Sequence, residues 1–374
     1  MKLFLQETRK LAALTRSDPK SLAAGIIAPT VILIIFALTF GNFAALKIAV
    51  VNNDTGPMGN ELTSSVFTQT SPLTGKPYFE AVPTTLLEAT QLYESGAING
   101  ILTIPSDFSD ELSSHIPARI GYEFNNSNTD MAKNLRLYLD EGIYDFYTRH
   151  LPGMNLHINT EMKAPTQLDW FTIIAVGIFL LAFLMGAMFN FLYLFNKERQ
   201  YATLTQYRLS PKPLLATFLA RLTVALAAGL TTAAVNAALL RLLTSVNLAD
   251  HALRLLPILF ILGLAFISYA VLISMLVNKF SGAAMLAMIS AVVIWFLSGA
   301  TTSVTYASGA LLNIALALPS SYGLAQIRAI IFNVDQSAGG LLNIEKGWLV
   351  MTAYALILTI TAYGVYRRKL SAAS

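Results

Sequence analysis

The sequence contains no cysteine, which excludes disulfides, thiol chemistry and cysteine-held metal sites. It is also short of charge. Only 12% of its 374 residues are Asp, Glu, Lys or Arg, about half the share usual in a soluble protein of this length. Nucleotide-binding and hydrolytic signatures are missing. No GxxxxGK[ST] occurs: Gly75-Lys76 runs into Pro77 without the upstream glycine, so nothing here cradles ATP phosphates. HExxH, GxSxG and GxGxxG are absent as well. His115, His150, His157 and His251 lack metal-ligand spacing and read as solvated residues. No basic, aromatic-interleaved stretch exists to bind nucleic acid.

What the chain has is apolar length. Of its residues 55% are hydrophobic, and a membrane-crossing helix needs about 20 mostly apolar residues. Six runs qualify: 22–43, 168–195, 214–240, 253–277, 281–300 and 347–366. Asp18-Pro19 precedes the first as an N-cap with proline at the first helical position. Pro29 is expected to kink that helix. This run reads as a retained span rather than a signal peptide. Its only small-residue cleavage pattern is Thr39-Phe40-Gly41, and the segment before it is too long for an n-region.

Charge supplies an orientation. The net +4 sums two populations: residues 47–165 carry −7 and the remainder +11. Thirteen Lys/Arg lie before the first span, between the second and third, at Lys279 and at Arg367-Arg368-Lys369. The opposite short loops hold four: Arg241, Arg254, Arg328 and Lys346. The positive-inside rule then puts both termini in the cytoplasm and the acidic insert outside. The expected organisation starts with a cytoplasmic amphipathic interfacial helix over 1–20. Its Phe4, Thr8, Leu11 and Leu14/Thr15 share one face, with basic residues on the other. Transmembrane helix 1 follows over 21–46 and an extracytoplasmic α+β domain over 47–165. Transmembrane helices 2–6 occupy 166–370, with a cytoplasmic loop at 196–213 and an outward-facing re-entrant segment at 301–346. A tail, 371–374, ends the chain.

Inside the insert, KIAVVNND (47–54) and ARIGYEF (118–124) alternate as half-buried strands do, with Ile120, Tyr122 and Phe124 on one face. Thr85 and Glu88 form a capping-box start for a helix that Gly96 ends. INGILTIP (98–105) reads as a short strand and SDFSDEL (106–112) as a helix start with acids in its first turn. Residues 129–149 carry the stripe Met131, Leu135, Tyr138, Phe146 of a packed helix.

Few polar groups fall within the spans. Arg221, about two turns from the cytoplasmic end of the third, is expected to snorkel to the interface. Asn190 and Asn236 read as interhelical hydrogen-bonding residues or, with Ser298, as polar points on a translocation path.

Between the second and third spans stands KERQYATLTQYRLSP (197–211). It resembles the first cytoplasmic loop of ABC-2 type exporter permeases, where a charged KER/RER start precedes a G-T-L-x-Q/E-L pattern and an S/T-P. Lys197, Glu198, Arg199, Thr203, Leu204 and Pro211 match; Gln200 replaces the usual acid and Ala202 the usual glycine. VVNNDTG (50–56), YESGAINGILTIPSDFS (93–109) and EFNNSNTDMA (123–132) resemble the extracytoplasmic domain of the drug-exporter-like, multidrug branch. FLSGATTSV (296–304) and ALPSSYGLAQIRAI (317–330) resemble the fifth span and re-entrant segment, with Pro319 kept and two family prolines missing.

The resemblance covers nearly the whole chain. It implies a polytopic α-helical fold of six transmembrane helices, ABC-2 or type V exporter-like, with an inserted α+β extracytoplasmic domain. It also implies a multi-pass permease in a bacterial cytoplasmic (inner) membrane, paired with a second copy or a paralogue. A cytoplasmic ABC ATPase subunit would hold ATP and magnesium, this chain would bind no cofactor, and membrane lipid and a periplasmic adaptor are further candidate partners. Lys197, Glu198, Arg199, Gln200, Thr203, Leu204 and Gln206 are the implied ATPase-coupling residues. Apolar spans with few fixed charges suit a hydrophobic or amphipathic cargo, drug-like or lipid-like. Two other readings stay open: a non-transporting receptor or envelope-maintenance protein whose outer domain binds a partner, and an intramembrane enzyme.

Overall fold

The computed structural model describes residues 1–40, 45–70, 75–95, 97–114, 118–124, 129–150, 170–209, 214–244, 246–301, 304, 309–333 and 342–371. Gly41, Gly96, His115, His157, Pro211 and Lys212 lie outside them, as do the side chains of Thr39, Phe40, Phe124, Met131 and Arg208. Two compact units result: residues 42–167, and residues 1–41 with 168–374. In chain order the elements begin with α1 (Lys2–Ser17) and α2 (Lys20–Phe40). The insert follows: β1 (Leu46–Asn52), α3 (Met58–Phe67), β2 (Phe79–Pro83), α4 (Leu86–Glu94), β3 (Gly100–Ile104), α5 (Phe108–Ser113), β4 (Gly121–Phe124) and α6 (Thr129–His150). The second half of the helical unit comprises α7 (Trp170–Gln200), α8 (Thr203–Leu209), α9 (Leu214–Leu243), α10 (Ala252–Leu276), α11 (Phe280–Leu297), α12 (Gly309–Ala317), α13 (Pro319–Phe332) and α14 (Ile344–Ser371).

The insert is a four-stranded sheet in the order β2-β1-β3-β4. β1 runs parallel to both neighbours, and β3 and β4 are antiparallel. Ile48 to Val51 are four buried residues in a row, where alternation predicts a strand with one wet face. The reason is β1's central place. Ile48 joins Leu62, Leu102, Phe108 and Phe146 on one side, while Ala49 and Val51 join Ala89 and Ile101 on the other. Parallel strands covered on both faces read as continuous apolar runs. α3 and β2 have no counterpart in the sequence reading. Thr85 does form the capping box with Glu88, and the helix closes at its C-cap residue Ser95, one position before Gly96. Leu135, Leu139 and Phe146 put α6 into the core beside β1. His150 is not simply solvated: its ring stacks on Phe146 and Nε2 lies 2.7 Å from Glu61 Oε2.

The VVNNDTG turn owes its shape to one carboxylate. Asp54 Oδ2 accepts from the Gly59 N–H at 2.8 Å and the Ser109 hydroxyl at 2.6 Å, and Oδ1 accepts from the Ser109 N–H at 3.1 Å. It thereby supplies acceptors to the free N–H groups at the starts of α3 and α5. Asn52 Oδ1 accepts from the Asp54 N–H at 3.0 Å and fixes the turn ahead of it.

In the helical unit six helices are long and apolar enough to cross a membrane: α2, α7, α9, α10, α11 and α14, with α10's stretch beginning at Leu248. α12 and α13 meet at 75°, as a glycine- and proline-interrupted segment must, so they are not one straight span. Pro29 sits inside a continuous α2. α7 is buried almost all round and is the axis against which α2, α9, α10 and α11 pack. Its Gly186 allows the closest approach. A Cβ there would stand 2.0 Å from Thr232 Oγ1 on α9, and one on Gly25 of α2 would stand 2.7 Å from the Gly186 Cα. Small residues admit such contacts in apolar surroundings, where close packing replaces the hydrophobic effect as the adhesive. Thr232 then donates to the Ala182 carbonyl at 2.9 Å.

Burial raises the Asp54 carboxyl pKa, but the Ser109 hydroxyl and the surrounding N–H groups outweigh it and hold the value below the ordinary one. Its stabilising effect is therefore complete above the unfolded pKa of about 3.9 and is lost as pH falls through the lower folded value. Asp54→Ala should destabilise the insert by about 1–3 kcal/mol at neutral pH. In the full-length chain this would appear as faster amide exchange in β1, α3 and α5, a difference that shrinks on acidification.

Candidate functional site

The 31 residues of α7 reach about 46 Å, more than a bilayer's apolar thickness of about 30 Å. Its last turn, Lys197-Glu198-Arg199-Gln200, therefore belongs to the polar end of the bundle. The chain reverses there through Tyr201 and Ala202 and continues as α8. Ala202 has φ 53°, a left-handed conformation that disfavours a Cβ. The position at which the resembled loop carries glycine is thus one where glycine is the unstrained residue.

Glu198 is the centre of this end. Its side chain is only 3% exposed and that of Arg221, on α9, only 2%. Arg221 Nε and Nη2 donate to Glu198 Oε2 at 3.0 and 2.7 Å, and Nη1 donates to the Thr217 carbonyl at 2.8 Å. The guanidinium lies over the rings of Tyr207 (α8) and Tyr366 (α14), 5.0 and 5.6 Å from their centroids. Arg221 therefore does not snorkel. The carboxylate that made snorkelling unnecessary lies 23 residues away and meets it only because α7 and α9 pack side by side.

The other Glu198 oxygen faces α1. Lys10 Nζ donates to Glu198 Oε1 at 3.3 Å, to Glu7 Oε2 at 3.2 Å and to the Tyr207 hydroxyl. That hydroxyl in turn donates to Glu7 Oε2 at 2.7 Å. Two acids and two bases make a neutral group with Tyr207 bridging them, buried except for Lys10, whose side chain is 41% exposed. Burial pushes the Glu7 carboxyl up, but the Tyr207 hydrogen bond and Lys10 hold it below its usual range. Burial depresses Lys10, yet Tyr207 and the charge of Glu198 leave it raised. Tyr207 itself is pushed up to about 12, chiefly by burial. All three keep their ordinary charge states at neutral pH.

Neighbouring residues tie the same end to further helices. Lys197 pairs with Asp18, which also accepts from the Tyr193 hydroxyl at 2.7 Å; Lys197 and then Tyr193 bring the Asp18 pKa down to about 2. Asp18 Oδ1 also accepts from the Lys20 N–H at 3.4 Å, at the start of α2. Arg199 donates to the Ser274 and Asn278 carbonyls, both at 2.8 Å, at the end of α10, and Lys369 of α14 donates to the Met275 carbonyl there. Cations at a helix C-terminus meet free carbonyls and the negative end of the dipole. Thr203 donates to the Glu198 carbonyl at 3.0 Å, and Leu204 packs on the bundle core.

Of the seven residues expected to couple, five thus face inward: Lys197, Glu198, Arg199, Thr203 and Leu204. Gln200 and Gln206 are exposed, and so is Tyr201, which sequence reasoning passed over. It passed over Glu7, Lys10 and Tyr207 too. The signal available was the i, i+3 pair Glu7–Lys10 on the side of α1 that also carries Leu11 and Leu14. That apolar side packs against Leu194, Ala220 and Val224 of α7 and α9.

The three polar residues proposed for a path do not form one cluster. Asn190 donates to Thr15 Oγ1 at 3.3 Å and Ser21 Oγ at 3.2 Å, joining α1 and α2. Asn236 is buried with neither amide atom bonded among the described residues. Asn190 and Asn236 stand one turn to either side of the Gly186–Thr232 contact on antiparallel helices, roughly 12 Å apart along the axis. Ser298 shares a 2.5 Å hydrogen bond with Ser320 of α13. Arg328, counted in the sequence as a loop cation, is instead buried on α13. It donates to the carbonyls of Gly299 (2.8 Å), Ala300 (2.7 Å) and Ile173 (3.1 Å).

A family model described as ABC-2 family transporter protein matches residues 20–363 of the chain. No curated protein matches it.

Glu198→Ala would leave Arg221 buried without its carboxylate, a loss expected to cost about 3–5 kcal/mol. Thermal unfolding in detergent should show it, and Glu198→Ala with Arg221→Met should recover much of the difference. Ala202→Gly should raise stability by about 0.5–1 kcal/mol, because relief at φ 53° exceeds glycine's extra unfolded-state entropy.

Proposed function

The chain belongs to the ABC-2 transporter family, and on that premise we propose that it is the permease subunit of an ATP-driven exporter. A separate cytoplasmic ATPase binds ATP and magnesium and engages the 196–213 elbow. The cargo is hydrophobic or amphipathic, drug-like or lipid-like, and is moved out of the cytoplasm. The permease pairs with a second copy or a paralogue in a bacterial inner membrane, with residues 47–165 on the outside and a periplasmic adaptor as a further partner.

One observation carries the coupling part of this reading. The α7–α8 elbow is held by ion pairs and hydrogen bonds to α1, to Asp18 between α1 and α2, to α9 and to the end of α10, with the Glu198–Arg221 pair fully buried among them, while Gln200, Tyr201 and Gln206 stay exposed. A load applied to the exposed side is passed to several helices at once, because the desolvated Glu198–Arg221 pair at the centre of these contacts yields only at high cost. Closure of the ATPase dimer then becomes rigid-body motion of the permease helices rather than local bending of a loop. Positive charge on the elbow side supports its placement in the cytoplasm. The apolar spans favour an oily cargo over a small ion, since polar groups such as Asn236 are few and scattered.

The exposed residues separate transmission from stability. Tyr201→Ala with Gln206→Glu should lower ATPase co-purification and efflux at least tenfold, the loss of about 1.4 kcal/mol of contact energy, and leave the melting temperature unchanged. Unaltered coupling in that variant would remove the elbow from the mechanism. If no ATPase co-purifies with the wild-type chain, the receptor reading replaces the exporter one.

A further inference from the structure

The outer side of α1 is cationic along one line. Lys2, Arg9 and Arg16 are spaced by seven residues, which returns each to within about 20° of the last, and all three are exposed. Lys20, also exposed, stands at the first position of α2 just beyond the end of α1. The opposite side of α1, with Glu7, Leu11 and Thr15 buried, is taken up by α7, α8 and α9. Residues 1–20 contain two acids only. Glu7 is held by Lys10 and Tyr207, and Asp18 by Lys197 and Tyr193. No carboxylate of this segment is left to neutralise the line.

The direction of α1 fixes which cations stand nearest the apolar spans. Lys10 meets α7 at Glu198 and Thr15 meets it at Asn190, so α1 advances toward the apolar part of α7 as it approaches α2. Lys20 and Arg16 therefore stand at the border of the membrane-spanning body. Arg9 lies about 10 Å back along the helix and Lys2 about 21 Å back.

We infer that this line, together with Lys20, binds anionic phospholipid headgroups, with Lys20 and Arg16 as the principal contacts. Its charge is complementary to theirs, it leads to the first residue of a membrane-length helix, and its apolar flank is already used within the protein. A basic cluster beside a span attracts anionic lipid with about 1 kcal/mol per cation near the surface, about fivefold in binding constant. The attraction decays over about 8 Å at physiological salt. Lipid binding must therefore fall off along the helix from Lys20 to Lys2. A soluble acidic partner would follow no such gradient.

The test titrates phosphatidylglycerol, and separately phosphatidylcholine, into the full-length chain in neutral detergent and counts bound lipids by native mass spectrometry. Phosphatidylglycerol should bind more tightly, and Lys20→Gln and Arg16→Gln should each weaken it about fivefold. Arg9→Gln should have a smaller effect and Lys2→Gln none. These side chains are exposed, so melting temperatures should not change, and Arg241→Gln serves as a charge-matched control. Equal binding of the two lipids overturns the inference and leaves a solvated face. Equal losses at all four positions, or the largest at Lys2, would also overturn it, because headgroup contacts centred on Lys20 and Arg16 cannot give that pattern. None of these outcomes depends on an ATPase or on export.

Discussion

Glu198 and Arg221 have both left water, and that fact organises the end of the bundle where α7 turns into α8. An ion pair in such a place gains little net stability, because desolvation offsets most of the attraction, but removing either member is expensive. The pair is therefore best seen as a constraint. It fixes α7 against α9 and orients Tyr207 of α8. Through the second Glu198 oxygen it also recruits Lys10 of α1. Lys197 and Arg199 extend the constraint to Asp18 and to the last carbonyls of α10. The turn is thus cross-linked by charge on several sides.

Above it the bundle relies on different physics. Gly186, Gly25 and Thr232 bring three backbones together, and the contact holds by close packing and one hydroxyl–carbonyl hydrogen bond. Asn236, a turn away, and Arg328, on α13, are exceptions in this apolar body. Among the described residues Arg328 is a buried cation answered by carbonyl dipoles alone, and it binds α13 to the end of α11 and the start of α7.

Much of the architecture could be read directly. Apolar runs located the spanning helices, since length and continuity alone decide whether a segment fits a bilayer. Thr85 with Glu88 announced the start of α4 because a capping box is satisfied within four residues. β1 was legible as a strand, though not as a central one, because coverage of its second face comes from α4, more than thirty residues later. The KER stretch was legible as unusual, yet its orientation was not. A charged residue between two spans reads as solvent-facing until its partner is known. The partners of Glu198 and Lys197 come from α9, α1 and the α1–α2 junction.

By itself the sequence determined which segments cross, that an acidic α+β unit interrupts them, and that nothing in the chain carries a nucleotide-binding loop. These follow from local composition and short-range spacing. Only the tertiary structure decided that Arg221 is paired rather than snorkelling and that Arg328 is buried. It also decided that the elbow presents Gln200, Tyr201 and Gln206 while Lys197, Glu198 and Arg199 turn inward. The reason is distance along the chain. The energy of a charge depends on what lies within a few ångströms, and here those neighbours are brought from positions 23 to 188 residues away.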